Sequence, residues 1–367
     1  MVAHPRCLIL LIVSLVLPVY AQEGGDASEP KEFSVNCGNY FTYGQFDEAV
    51  IRGGPPPDGI PPIEQPGYES VDDASVWLHP EDRVFVVEGS RGVLIFPQLI
   101  MVRHEVVNGS FNGRPGSFTY CPLVGVAIGY YTDFGDAHTT FGTSGNLVNA
   151  NLVMYDRQTS SYWPQILGEA INGDYRGAKL EAFPVYWTQW AQAEAAYPDA
   201  TVLSRNSGFP YKYNFDPYGD YIGERGFYYN ERLWPGIMNT DDRLHPKRPV
   251  IGIKTSCGRA AIVKDHLGPA RPVLNIDVAN APVVAFYDAA LGTVRTFSRI
   301  HGDTVLEFSQ NDGKTVDQNT GTVWNHKGQA ISGQWSGAQL KIIESMESFW
   351  FAWIAFYPDS LLIGAPN

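Results

Sequence analysis

The apolar positions of this chain fall in short runs rather than long helical stripes, and the runs are punctuated by glycine, proline and Asn-Gly. VFVVEGSRGVLIF and VIGIKTSCGRAAIV place β-branched and aromatic residues on both sides of a glycine, which predicts hairpins around Gly92 and Gly258. Asn112-Gly113 marks a further tight turn. Only WTQWAQAEAAYPD and SFWFAWIAFYPD have the Ala- and aromatic-rich character of helices, each stopped by its proline. The fold class these patterns predict is α+β and strand-rich.

The same patterns recur along the chain. Leu78-His79-Pro80 returns as Leu244-His245-Pro246, and GEAINGDYRGAKL from Gly168 returns as GQAISGQWSGAQL from Gly328. Trp163 matches Trp324, and Tyr197-Pro198-Asp199 matches Tyr357-Pro358-Asp359. Such self-similarity predicts two tandem homologous modules in a pseudo-two-fold relation, with one short helix near the end of each. The expected organisation is a leader over 1–21, an N-terminal segment with a proline-rich surface stretch over 22–66, and a first module over 67–203. An aromatic connection follows over 204–243, then a second, degenerate module over 244–367. Asn36 to Ile51 is expected to be an ordered lead-in, GGPPPDGIPPIEQP (Gly53 to Pro66) to run extended along the surface, and the folded body to begin near Tyr68. The connection is too aromatic for disorder, so it reads as a strap over the module junction or a stacking surface for a ligand.

Charge and leader narrow the setting. Arg6 precedes an apolar run that ends in small residues at Val19 and Ala21, the pattern of a secretory signal peptide too short to span a bilayer. Its removal takes one arginine and no acid, moving the formal charge from −13 to −14. That excess disfavours nucleic acid and anionic membranes as partners. No later apolar run is long enough for a membrane span, so the expected location is secreted and extracellular. Three cysteines remain after cleavage. A disulfide between Cys37 and Cys257 is expected, leaving Cys121 as the free sulfur.

Chemistry concentrates between Arg103 and Arg157. His104, Asn108, Cys121, Ser144, Asn149 and Asn151 stand there as candidate catalytic residues, and the second module lacks counterparts for most of them. Imidazole, thiolate and thioether from His104, Cys121, Met154 and His138 are the donors copper prefers. Cys121 with His104 also fits a thiolate-imidazole pair, and all these groups fit as core residues too. Asp156 recurs as Asp317 and His79 as His245, which assigns them to the fold. Asn108-Gly109-Ser110 is a glycosylation acceptor, which requires a surface position.

RHEVVNG (Arg103 to Gly109), FTYCPL (Phe118 to Leu123), FGTSGNLVNANLVMYDRQT (Phe141 to Thr159), SYWPQILGEAI (Ser161 to Ile171) and FWFAWIAFYPD (Phe349 to Asp359) together resemble a family widespread in bacteria and archaea, a domain of unknown function. The resemblance covers about Ile60 to Ile363 and points again to His104, Asn108, Cys121, Ser144, Asn149 and Asn151. It implies no particular reaction. Many relatives carry a second cysteine where Val124 stands here and an aspartate where Gly109 stands, so the simplest dithiol chemistry is missing. Two functions remain in view: a secreted binding or extracellular matrix protein, self-associating or cation- and mineral-associated, and a copper-type metalloprotein or thiol enzyme centred on His104 and Cys121.

Overall fold

The computed structural model describes residues 38–134, 137–219, 221 and 226–365, all within one compact unit. The predicted leader, the rest of the segment before residue 38, and Cys37 lie outside the described residues. Strands dominate, and the two predicted helices form at Trp190–Ala196 and Trp350–Phe356, each ending one residue before the Tyr-Pro pair. The chain is thus α+β and strand-rich.

A five-stranded sheet orders Tyr186–Gln189, Arg83–Gly89, Gly92–Pro97, Thr201–Leu203 and Tyr68–Ser70, with Thr201–Leu203 parallel to its neighbour Gly92–Pro97. A second sheet orders Glu181–Phe183, Val126–Tyr131, Arg114–Cys121 and Val106–Phe111. A third orders Ile51–Arg52, Phe141–Val148, Asn151–Asp156 and Tyr162–Pro164. The hairpins expected at Gly92, Gly258 and Asn112-Gly113 all form.

The later half has a similar strand order. Ser345–Phe349, Pro249–Lys254, Arg259–Val263 and Leu361–Ile363 make a sheet whose last pair is again parallel. Val273–Val278, Ala281–Asp288 and Thr293–Ser298 form a meander, as Val106–Phe111, Arg114–Cys121 and Val126–Tyr131 do. Cys121 pairs with Val126 in one meander and Asp288 with Thr293 in the other, at the same step of the ladder. The small loop anchors recur as well. Trp163 Nε1 donates to Asp156 Oδ2 at 3.1 Å and Trp324 Nε1 to Asp317 Oδ2 at 2.9 Å, with Thr159 and Thr320 filling the other carboxylate oxygens.

The segment before Tyr68 is more deeply built in than its proline content predicts. A helix at Tyr43–Glu48 is capped by Thr42 and Gln45 and buries Phe46 in the core. Ile51–Arg52 extends the third sheet, and Ile63 is buried beside Val107, exchanging backbone hydrogen bonds with Val106 and Asn108. The expected extended run is instead bent: Gly59 N donates to Pro56 O at 2.8 Å and Asp58 has φ 54°, closing a turn, and the apolar Ile63 then finds the open edge of Val106–Phe111.

A cleft of about 880 Å³ runs between the halves, with one wall from Leu180 to Trp187 and the other from Leu340 to Glu347. Charged pairs stiffen these walls. Arg295 bridges Asp288 at 2.8 Å and Glu88 at 2.6 Å, Lys264 pairs with Glu347 at 2.6 Å, and Lys254 with Glu344 at 2.8 Å.

Candidate functional site

The region singled out in the sequence is built around the helix Gln98–His104. Pro97 opens it, and Glu105 closes it with φ 59°, so the chain turns sharply from the helix into Val106–Phe111. This turn directs His104 and Glu105 inward beneath the connection over 204–243.

His104 is fully buried and both ring nitrogens are engaged. Nδ1 lies 2.7 Å from the carbonyl oxygen of Pro61, which can only accept, so Nδ1 carries the proton and Nε2 accepts from Tyr213 Oη at 2.5 Å. Ser207 Oγ continues the chain to Tyr213 at 2.5 Å. Burial lowers the pKa of the imidazole, in keeping with a neutral ring.

Cys121 lies in the apolar cluster with Val124, Ala150 and Leu152. Its sulfur accepts from Leu152 N at 3.4 Å and faces Ala150 O at 3.9 Å. Burial, reinforced by the neighbouring Glu105, pushes the thiol pKa up to about 12. It is a free, buried thiol, whereas Cys257 presents none.

The expected copper set does not assemble. Met154 is fully buried in the core, His138 is exposed on the two-residue strand Ala137–His138, and both nitrogens of His104 are spent. Among the described residues no three His, Cys, Asp or Glu side chains gather as a metal centre requires. These donors do not fit the ion.

The amide candidates are architectural. Asn108 is 2 % exposed; its Nδ2 donates to Glu64 Oε2 and Phe141 O, and its Oδ1 accepts from Ser117 and Phe141 N. The expectation of a glycan there is overturned, because the nitrogen that would carry it is buried and already bonded. Asn149 joins the hairpin to Ala355 O and Met238 N, tying the first half to the later helix and the connection. Asn151 holds Gln165 and Ile166 N, and Ser144 bonds Val153 O inside a bulge between Thr143 and Asn146.

What the sequence did not reveal lies on the other face of the same helix. A cleft of about 380 Å³ opens between Trp77, Glu81, Asp82 and Arg83, the helix residues Gln98 and Leu99, and Tyr213 to Asp216, Gly219 and Tyr221 of the connection. Gln98 Nε2 donates to Asp216 Oδ2 at 2.6 Å, and Tyr228 Oη donates to the same oxygen at 2.6 Å. Tyr120 and Tyr221 exchange a hydrogen bond of 3.1 Å behind them. Burial raises the pKa of Asp216 against these donors. The hint in the sequence was Gln98 itself, a polar residue inside the apolar run VLIFPQLIMV, together with the aromatic connection.

The fold and this cleft define a strand-rich α+β protein with a concave cleft lined by aromatic and polar residues. The chain belongs to the family described as a protein of unknown function (DUF3179), whose family model matches residues 57–360. No curated protein and no solved structure matches it. No helix among the described residues is long and apolar enough to cross a membrane.

Proposed function

We propose that this chain is a secreted, extracellular binding protein on a rigid two-repeat scaffold, and that the cleft beneath the connection is its ligand site. The carrying observation is the state of the two groups that catalysis would need. The Cys121 thiol is buried with a pKa pushed up to about 12, and His104 has both nitrogens committed to Pro61 and Tyr213. A thiol so placed stays protonated at neutral pH, and reactivity belongs to the thiolate. The repeated strand order supports descent of both halves from one unit, the later half having replaced the sulfur by an ion pair. The excess of acidic side chains and the leader support an extracellular role, in a matrix or through self-association, and pairing of Cys37 with Cys257 is part of this reading.

The test is copper content, thiol reactivity and disulfide mapping on the exported protein, before and after Cys121→Ser. The reading expects no stoichiometric copper, no reaction of Cys121 with a disulfide reagent until the protein is denatured, and a Cys37–Cys257 peptide. Copper lost on substitution, or a Cys121 that reacts rapidly in the native protein, would overturn it in favour of the metalloprotein or thiol enzyme.

A further inference from the structure

Val106–Phe111 and Val273–Val278 stand at corresponding edges of the two meanders, but only the earlier edge is covered. The ladders fix the correspondence: Val106 pairs with Thr119, two residues before Cys121, and Val273 pairs with Phe286, two residues before Asp288. Asn108 and Asn275, two residues further on, make the same side-chain bracket. Nδ2 donates at 2.8 Å to the carbonyl oxygen of Phe141 or Phe308, and Oδ1 accepts from the N of that same phenylalanine at 3.0 Å. In the first half Ile63 then closes the edge, its N donating to Val106 O and its O accepting from Asn108 N, both at 2.9 Å. Val106 and Val107 are fully buried there and Asn108 is 2 % exposed, whereas Val273, Leu274 and Asn275 are only half-buried.

Tyr287 N donates to Pro272 O, so Pro272, Leu274 and Ile276 turn their backbone groups toward Ala281–Asp288. Val273, Asn275 and Asp277 turn theirs outward, and among the described residues no hydrogen bond reaches those groups. Such an open row of N–H and C=O groups is a template for a further strand. Its own sequence sets what fits. Antiparallel pairing of two such edges about Leu274 places Val273 opposite Asn275 on both sides of the centre, where backbone hydrogen bonds are exchanged, and Arg271 opposite Asp277. Charges of one sign would block the contact, but these are opposite, and both side chains are exposed. Arg299 holds Asp277 Oδ1 at 2.6 Å, which fixes that carboxylate at the edge.

We propose that two copies of this chain join along residues 273–277, antiparallel about Leu274, so that their meanders form one continuous sheet across a two-fold axis. The proposal names the surface for the self-association argued above and so rests on that reading.

The experiment is sedimentation equilibrium of the exported full chain at about 0.15 M salt, with amide hydrogen exchange over the same concentrations. A dimer is expected, with the amides of residues 273–277 gaining protection as it forms. Arg271→Glu sets like charges opposite each other and should weaken the dimer at least about 10-fold; adding Asp277→Lys restores opposite charges and should recover most of that loss. Both positions are exposed, and circular dichroism checks that the variants keep the fold. A chain that stays monomeric up to about 100 μM would overturn the proposal and leave the edge to a strand of another protein. So would a dimer whose 273–277 amides exchange freely, a dimer unchanged by Arg271→Glu, or a loss that Asp277→Lys fails to recover. Copper and thiol reactivity are measured on the same sample. A copper-free, unreactive monomer rejects the edge pairing alone, whereas copper or a reactive thiol rejects the binding reading itself, whatever the mass.

Discussion

Glu105 ends its helix at φ 59°, a left-handed conformation that costs a residue with a side chain energy, and it carries a carboxyl into the interior with 7 % exposure. Burial raises the pKa of that carboxyl to about 8. The unfolded chain ionises it near its ordinary value of 4.5, whereas the folded chain holds the proton until about pH 8. Stability from this group is therefore complete below the unfolded pKa and is lost as pH rises toward 8. The expected loss is about 2–4 kcal/mol between pH 5 and 8, measured by urea denaturation. Glu105→Gln, which keeps the shape and cannot ionise, should flatten that dependence; a wild-type profile already flat over this range would remove Glu105 from consideration. At this scale the sequence located the region but not the hydrogen bonds that its polar groups make. His104, Asn108, Asn149 and Asn151 were visible as a cluster of polar residues, yet whether an imidazole or amide is spent on Pro61 O or Ala355 O depends on contacts from distant parts of the chain.

Turns and hairpins were the most legible elements, because their chemistry is local. Asn112 and Gly113 have φ 54° and 82°, the left-handed pair that a two-residue hairpin turn requires. Asn112 also accepts from Ser90 N at 3.0 Å and donates to Tyr131 Oη at 3.2 Å, so one hairpin turn braces the next. Gly113→Ala is expected to cost about 1 kcal/mol from backbone strain alone, plus displacement of Arg91, whose guanidinium lies 2.8 Å from the added methyl carbon. Gly129→Ala isolates the steric effect. Its φ is not left-handed, but a methyl carbon there falls 1.8 Å from the ring of Phe183, so we expect a larger loss of about 1–3 kcal/mol. Thermal denaturation of the two variants ranks them, and a milder effect at Gly129 would contradict this packing. The segment before Tyr68 was legible only in part. Proline content suggested extended chain, whereas the segment turns at Pro56 to Gly59, and docking of Ile63 beside Val107 is a long-range pairing that composition does not encode.

Across the whole molecule, the two halves have similar strand orders, but different residues stand at corresponding ladder steps. Where the first meander has Cys121 and Ile128, the later one has Asp288 and Arg295 at the same ladder steps. Arg295 is 2 % exposed and Asp288 fully buried, and the guanidinium reaches across to Glu88 of the other half. Burial opposes ionisation of Glu88, but Arg295, Lys327 and Tyr197 outweigh it and pull its pKa down to about 2. This contribution is therefore present above the unfolded value of 4.5 and lost as pH falls toward 2. Removing the arginine alone, as in Arg295→Ile, strands a buried aspartate and is expected to cost about 3–5 kcal/mol at pH 7. Adding Asp288→Cys rebuilds the apolar pair that the first half already tolerates, so the double variant should be more stable than Arg295→Ile alone. Urea midpoints at pH 7 for the two single variants and the double close the cycle. Strictly additive losses would mean that the two positions do not answer to each other, and that the halves reached their present interiors by unrelated routes.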